Sequence, residues 1–275
     1  MINSILLAVD TSPYARVAST YANFFAYKLD AVLEAVYVVD SRLTNLTYWT
    51  DYGALSVPLT RFSEEMAEVL RGQGELLLER VREGTEKVGI RCRVEIHEGL
   101  PAPTILEAAK DCDLIILGRR GESAMLENGK GLGAAAERVL RSAHHPVLCT
   151  PASFQEVGRV VLGFDGSDRA QSAMRYAVEL ARRLALEFLA VSISADEAVS
   201  AKRNEIVTNY AEAHGITALT RSLRGDPVEG LLAQLQPGDM LAMGAFGEGR
   251  VRQLLLGSTT EAILREVDHP VLLHR

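Results

Sequence analysis

Short apolar runs alternate along this chain with longer segments in which apolar residues recur every three or four positions. The runs at 4–9 and 113–117 carry little charge, which is typical of strands buried on both faces of a sheet. The segments 75–88, 170–184 and 259–267 place apolar residues on one side and charges opposite, which predicts amphipathic helices. Alternating strands and helices imply a parallel sheet with right-handed crossovers.

The order of these elements is repeated within the chain. In the first two matching pairs of segments, the two copies are separated by the same number of residues, and in the next two pairs by a smaller number. This difference places an insertion of about 29 residues in the first copy, after the strand ending near Val39. A self-similar pattern of this length indicates a duplicated domain. The matching segments are 5–10 with 160–165, 35–38 with 190–193, 99–101 with 225–227, 113–118 with 239–244, and 145–148 with 269–272.

We therefore predict two α/β domains in tandem, a first repeat at 1–153 and a second repeat at 157–275, with the insertion near 41–70. Each repeat is expected to be a doubly wound, Rossmann-like domain with a five-stranded parallel sheet. Such sheets bind ligands at the carboxyl ends of their strands, where the strand order reverses. Candidate binding residues are therefore those that directly follow a predicted strand.

A glycine-rich segment follows one strand of the second repeat. Gly244 and Gly247 are separated by two residues, and after nine more residues come Gly257, Ser258, Thr259 and Thr260, where a helix is predicted to begin. Glycines let backbone amides approach a phosphate closely, and a helix start presents free N–H groups to an anion. With hydroxyl groups beside them, these residues suit a polyphosphate, although Ser258 could equally serve only as a helix cap that forms a capping box with Glu261.

This spacing, together with an apolar first strand that ends in Asp and a final strand that follows His-Pro, resembles the universal stress protein family over nearly the whole chain, twice. The resemblance implies an adenine nucleotide alpha hydrolase-like fold and an ATP site, with ATP held alone or with Mg²⁺. It places Asp165 at the adenine or ribose, Ile193 at the adenine, and the glycine-rich segment at the ribose and phosphates. The implied binding residues are Gly163, Phe164, Asp165, Ile193, Met243, Gly244, Gly247, Gly257, Ser258, Thr259 and Thr260.

The first repeat departs from this pattern after its fourth strand. Gly118 and Gly121 match the first two glycines. The spacing of nine residues then leads to Gly131, which Leu132 follows, whereas alignment on His145-Pro146 makes Gly133-Ala134 the counterpart of Gly257-Ser258. The hydroxyl groups are missing, so we predict weak or absent ATP binding there. Its corresponding candidate residues are Asp10, Val38, Gly118, Gly121 and Gly133, and the charges that could still attract an anion are Arg119, Arg120 and Lys130.

Composition narrows the classes of function. A formal net charge of -7 disfavours nucleic-acid binding, and no apolar run is long enough to span a membrane. The start of the chain lacks the basic region and cleavage site of a signal peptide, so a cytoplasmic location is expected. The cysteines, Cys92, Cys112 and Cys149, form no motif for zinc or disulfides, and His145 and His269 are interpreted as packing residues.

Three functions remain open at this stage. The first is an ATP-binding regulatory protein of the stress response, which acts through an unknown protein partner. The second is a slow ATPase, since Arg250, Arg252 and Asp165 could supply charge, although no general base is apparent. The third is a scaffold that needs no nucleotide.

Two features bear on assembly. The resemblance implies that the two repeats pair through their final strands, at 147–150 and 271–274, as a pseudo-dimer within one chain, and that two chains form a homodimer. The inserted segment carries Tyr48, Trp49, Tyr52 and Phe62, which either form an interface or fold back on their own domain.

Overall fold

The computed structural model describes residues 2–44, 56–122, 131–245 and 258–275, with side chains from residue 62 onward in the second range. These residues form a single ten-stranded sheet in the order β3-β2-β1-β4-β5-β10-β9-β6-β7-β8. The strands are β1 Ser4–Val9, β2 Val32–Asp40, β3 Cys92–Gly99, β4 Leu114–Gly118, β5 Val147–Thr150, β6 Arg159–Gly163, β7 Glu187–Ile193, β8 Leu219–Leu223, β9 Asp239–Gly244 and β10 Val271–His274.

Helices connect the strands in the alternation that the sequence predicts. The crossover helix of the first repeat, α3, has 31 residues, whereas its counterpart α7 has 17, so the insertion lengthens this helix. The helices are α1 Pro13–Leu29, α2 Ser41–Thr44, α3 Ser56–Glu86, α4 Pro101–Ala108, α5 Ala134–Ser142, α6 Asp168–Leu184, α7 Glu197–Ala213, α8 Pro227–Leu232 and α9 Ser258–Glu266.

Within each repeat the five strands are parallel, and the two sets meet at one antiparallel pair. β5 and β10 pair with Leu148 opposite Leu272 and Cys149 opposite Val271. The predicted pairing of the final strands is thus confirmed, and it merges the two predicted sheets into one. The strand order is the same on both sides of this junction, so the chain has an internal pseudo-twofold arrangement.

The sheet lies between two layers of helices, because successive strand residues point to opposite faces. Ile5 and Leu7 of β1 belong to the core beneath α1, α3, α6 and α7, whereas Leu6 between them belongs to the core beneath α4, α5, α8 and α9. Each core runs across both repeats without interruption. The two repeats therefore share their hydrophobic interior as well as their sheet.

The first helix of each repeat begins with the same local structure. Ser12 and Ser167 are the N-caps of α1 and α6, and their hydroxyl oxygens accept hydrogen bonds from the N–H groups of Ala15 and Ala170, at 3.1 and 3.2 Å. These caps satisfy N–H groups that a helix start leaves unpaired. The two repeats therefore have the same hydrogen bond at the junction of their first strand and first helix.

Candidate functional site

The predicted site residues of the second repeat lie at one edge of the sheet. β6, β7 and β9 are neighbouring parallel strands, so their carboxyl ends meet there. Gly163 lies opposite both Val191 and Met243, and the N–H of Phe164 donates to the carbonyl oxygen of Val191 at 2.9 Å. β9 ends at Gly244 beside them. This edge is where a doubly wound sheet holds its ligand.

Asp165 turns the chain from β6 into α6. Its side chain is exposed, and Oδ1 accepts a hydrogen bond from the N–H of Ser167 at 3.0 Å. Gly166, in the left-handed region at φ 82°, allows the turn between them. The carboxylate therefore has a structural role in the turn, and its side chain is exposed at the sheet edge.

Gly244 is required by packing against a neighbouring helix. A Cβ atom here would lie 2.6 Å from the nitrogen of Ala170 and 2.8 Å from the carbonyl carbon of Arg169, both in the first turn of α6. Backbone atoms cannot rotate away as a side chain can. The sequence suggests a glycine here because backbone amides could then approach a phosphate. The packing against α6 requires a glycine whether or not a ligand is bound.

Two predicted residues can offer a ligand only their backbone. The side chains of Phe164 and Met243 are buried, in the cores on opposite faces of the sheet. Ile193 at the end of β7 is half-buried, and its carbonyl oxygen already accepts a hydrogen bond from Arg203 Nη1 at 3.3 Å. A ligand at this edge would therefore contact the backbone of Phe164 and Met243 and the polar groups around these strand ends.

Arg203 is a candidate that sequence reasoning missed. It projects from α7 over the strand ends, where its Nε lies 3.5 Å from the Cβ position of Gly166 and its Nη1 meets the Ile193 carbonyl. It therefore places a positive charge between the β6 and β7 ends of the site. Nothing in the pattern of α7 separates this residue from an ordinary helical arginine, and only the fold brings it to the edge.

The predicted phosphate segment is described from Ser258 onward, and Gly247 and Gly257 lie outside the described residues. α9 begins at Ser258, which is exposed, followed by half-buried Thr259 and buried Thr260. Glu261 accepts a hydrogen bond from Arg265 at 2.9 Å. Ser258 is therefore the first residue of α9, and Glu261 pairs with Arg265 one turn further along the same helix.

The first repeat has the same helix without the hydroxyl groups. α5 and α9 each have nine residues, and Ala134, Ala135 and Ala136 show the same sequence of exposed, half-buried and buried side chains as their three counterparts in α9. Gly133 is the N-cap of α5 and makes no side-chain capping bond. This agreement supports the alignment of Gly133-Ala134 with the start of α9.

The Asp10 carboxylate is occupied by its own chain. Oδ1 accepts from the N–H of Ser12 at 2.8 Å, and Oδ2 accepts from the N–H of Glu122 at 2.9 Å. A Cβ atom on Gly121 would lie 2.7 Å from Oδ2, so the segment after β4 rests directly on this carboxylate. At the end of β4, a Cβ on Gly118 would lie 2.7 Å from the Cβ of Tyr14.

Other features of the first repeat differ in part from the sequence interpretation. Arg119 does not face the site; its buried side chain donates instead to the carbonyl oxygens of Leu264 and Val267 in the second repeat. Val38 is half-buried at the end of β2. Phe62 is exposed on α3. Lys130, Tyr48, Trp49 and Tyr52, like Arg250 and Arg252 of the second repeat, lie outside the described residues.

The cysteines are unpaired thiols. Burial raises the pKa of Cys149 and of Cys112 to about 12, so both are protonated and unreactive near neutral pH. His269 Nε2 lies 3.0 Å from the carbonyl oxygen of Gln236. Within the described ranges, no group of three or more His, Cys, Asp or Glu side chains is placed to hold a metal ion, and no helix there could span a membrane.

Comparison with known sequences identifies relatives along the whole chain. A sequence profile of the universal stress protein family matches residues 1–151 and again 156–275. A universal stress protein from Synechocystis is 29% identical over 288 aligned positions, which cover 100% of both chains. Another, from Methanocaldococcus jannaschii, is 31% identical over 150 positions, which cover 54% of this chain and 81% of that protein.

Solved structures show the same fold. A universal stress protein from Archaeoglobus fulgidus superposes with a TM-score of 0.76 at 22% identity, over 100% of this chain and 99% of its own. A putative universal stress protein from Pseudomonas aeruginosa superposes with a TM-score of 0.62 at 16% identity, over 99% and 93% of the two chains. The tandem arrangement of two α/β units is thus found in proteins of widely different sequence.

Proposed function

Because this chain belongs to the universal stress protein family, as a tandem of two such domains, we propose that it is an ATP-binding regulatory protein in which the second repeat holds the nucleotide. The observation that carries this proposal is the difference between two matched helices. α9 begins with Ser258 and Thr259 where α5 begins with Ala134 and Ala135. Hydroxyl donors beside the free N–H groups of a helix start suit a phosphate.

In the proposed site, Asp165 binds the adenine or ribose side, and the backbone around Ile193 lines the adenine. The phosphates, with Mg²⁺ where it is bound, lie over the start of α9 beside Gly244, and Gly247 and Gly257 remain predicted phosphate-binding residues. Arg203 supplies positive charge near the β6 and β7 ends. Nucleotide binding would stabilise the state of the protein that binds it best, and a protein partner would recognise that state.

The first repeat is proposed to bind no ATP. Both oxygens of the Asp10 carboxylate already accept backbone hydrogen bonds, one of them from Glu122. A ribose hydroxyl would have to displace that segment to reach the carboxylate. α5 of this repeat also begins with alanines, so it lacks the hydroxyl groups that α9 carries.

We place the protein in the cytoplasm, as a regulator whose nucleotide state is sensed by a protein partner. In this proposal two chains form a homodimer, built from two intrachain pseudo-dimers.

Isothermal titration calorimetry of nucleotide-stripped protein with ATP and Mg²⁺ tests the proposal. We expect one site per chain, lost in the double variant Ser258→Ala/Thr259→Ala, which gives α9 the first two residues of α5. The matched control, Ala134→Ser/Ala135→Thr, should leave one site. No binding by the unmodified protein would refute the proposal, and two sites would refute the assignment of the first repeat.

A further inference from the structure

A buried arginine of the first repeat reaches into the second repeat. Arg119 follows β4 directly, its N–H donates to the carbonyl of Thr150 at 3.2 Å, and its own carbonyl accepts from the N–H of Gly133 at 3.0 Å. Its side chain then crosses the β5–β10 junction. Nη1 donates to the carbonyl oxygens of Leu264 at 2.7 Å and Val267 at 2.5 Å, and the residue is only 7% exposed.

These carbonyl oxygens are the ones that a helix end leaves without partners. α9 ends at Glu266, so Leu264 is among the last four residues whose carbonyls have no N–H within the helix. The same end carries the negative pole of the helix dipole, which a cation stabilises. Asp268, with Oδ1 3.9 Å from Nη2, adds a further negative charge. The buried guanidinium is therefore compensated by α9 and in turn fixes the end of that helix.

The opposite end of α9 begins at Ser258, where the proposed function puts the phosphates. The helix has nine residues and is about 13 Å long, short enough to move as one rigid rod. We propose that Arg119 is a positioning residue for the nucleotide site of the second repeat, an inference that rests on the proposed function. The first repeat thus supplies part of the second repeat's binding machinery while binding no nucleotide itself.

The duplication provides an internal comparison, because the structure describes this buried connection from the first repeat to the second but no buried arginine at the matching position of the second repeat. Ala245 occupies the position of Arg119 in the second repeat: its N–H donates to the carbonyl of His274, as that of Arg119 does to Thr150. Its methyl group cannot reach α5. The end of α5 instead receives Arg275, whose Nη1 donates to the carbonyl of Arg141 at 2.8 Å from an exposed position.

Two variants separate the role of the charge from that of the volume. Arg119→Met keeps the long side chain and removes every donor, whereas Arg119→Lys keeps the charge and its N–H donors on a single, differently placed nitrogen. Arg275→Met is the matched control, since it makes the same change at the exposed contact with α5. We expect Arg119→Met to weaken ATP binding at least ten-fold by calorimetry, Arg119→Lys to recover part of the loss, and Arg275→Met to stay within two-fold.

Hydrogen exchange of the ligand-free chain makes the test independent of nucleotide. In Arg119→Met we expect the amides of α9 to exchange at least ten-fold faster, with the amides of α6 unchanged. If the unmodified protein binds no ATP, the proposed function fails and the exchange data still report whether Arg119 fixes α9. Equal α9 exchange and equal ATP affinity in Arg119→Met and the unmodified protein would overturn the inference. Should Arg119→Met fail to fold, the same two measurements on Arg119→Lys decide it.

Discussion

Replacing Gly244 by alanine tests whether this glycine serves packing or phosphate approach. The added Cβ would lie 2.6 Å from the Ala170 nitrogen and 2.8 Å from the Arg169 carbonyl carbon. Ordinary carbon contacts are about 3.5–4.0 Å, so β9 or α6 has to move by roughly 1 Å. α6 is held at this point by the Ser167 cap, at 3.2 Å from the same Ala170 nitrogen. Overpacking of this kind costs about 1–3 kcal/mol.

The expected loss for Gly244→Ala is about 2 kcal/mol, or roughly 3–4 °C in Tm for a chain of this size. Thermal unfolding followed by circular dichroism, without nucleotide, measures it. Gly158→Ala is the control, because a Cβ there meets nothing within 4 Å and should change stability by less than about 0.5 kcal/mol. Equal midpoints for the two variants would refute the packing argument and leave phosphate approach as the reason for the glycine.

Three further predictions concern stability. Burial lowers the pKa of His274, whose ring stacks on that of Tyr176 with 5.0 Å between the ring centroids. The neutral imidazole therefore contributes fully to the free energy of unfolding above about pH 6.5, and this contribution is lost as the pH falls below that value. His274→Phe should reduce the loss of stability at acid pH in urea titrations, and an unchanged loss would contradict the assignment. Asp239→Ala removes the buried carboxylate that accepts hydrogen bonds from Arg159 at 2.6 and 2.9 Å. Chemical denaturation should show that the free energy of unfolding falls by about 3 kcal/mol, because the arginine is left without its partner. A fall of less than about 1 kcal/mol would count against this prediction. Gly72→Ala, in open space on α3, should raise stability by about 0.5–1 kcal/mol in the same assay, and a decrease would mean that the helix is constrained there.

The architecture was accessible from the sequence because it follows from repetition and periodicity. The strand predicted at 4–9 is β1 as observed, and the paired final strands meet as predicted. The helix predicted at 75–88 is in fact α3, Ser56–Glu86. Three glycines, Gly72, Gly74 and Gly84, lower helix propensity within it, and the first two lie just before the predicted start. The second is explained by a tertiary contact, since a Cβ on Gly74 would lie 2.4 Å from the Tyr37 ring.

The chemistry of the junction was not accessible in this way. Arg119 follows Gly118, and a cation beside a glycine after a strand indicates an anion site in the sequence. In the structure its side chain instead donates to the backbone carbonyls of Leu264 and Val267. Backbone carbonyls have no signature in the sequence, and these lie more than a hundred residues away. Arg203 has no signature in the sequence for the same reason, since its partner is the backbone carbonyl of Ile193. Side chains that act across elements are fixed by the fold, whereas strands and helices are fixed by local pattern.

The antiparallel junction also sets the order in which the chain can complete its fold during synthesis. β5 is made before any of the second repeat, and its partner β10 is made only after β6, β7, β8 and β9. At ~5–20 residues per second, the ribosome leaves the edge of β5 open for roughly 10 s. All four residues of β5 are buried in the finished protein, so this edge is an apolar template for a neighbouring nascent chain. Slow translation of the second repeat would therefore favour domain-swapped pairs and aggregates over the closed chain.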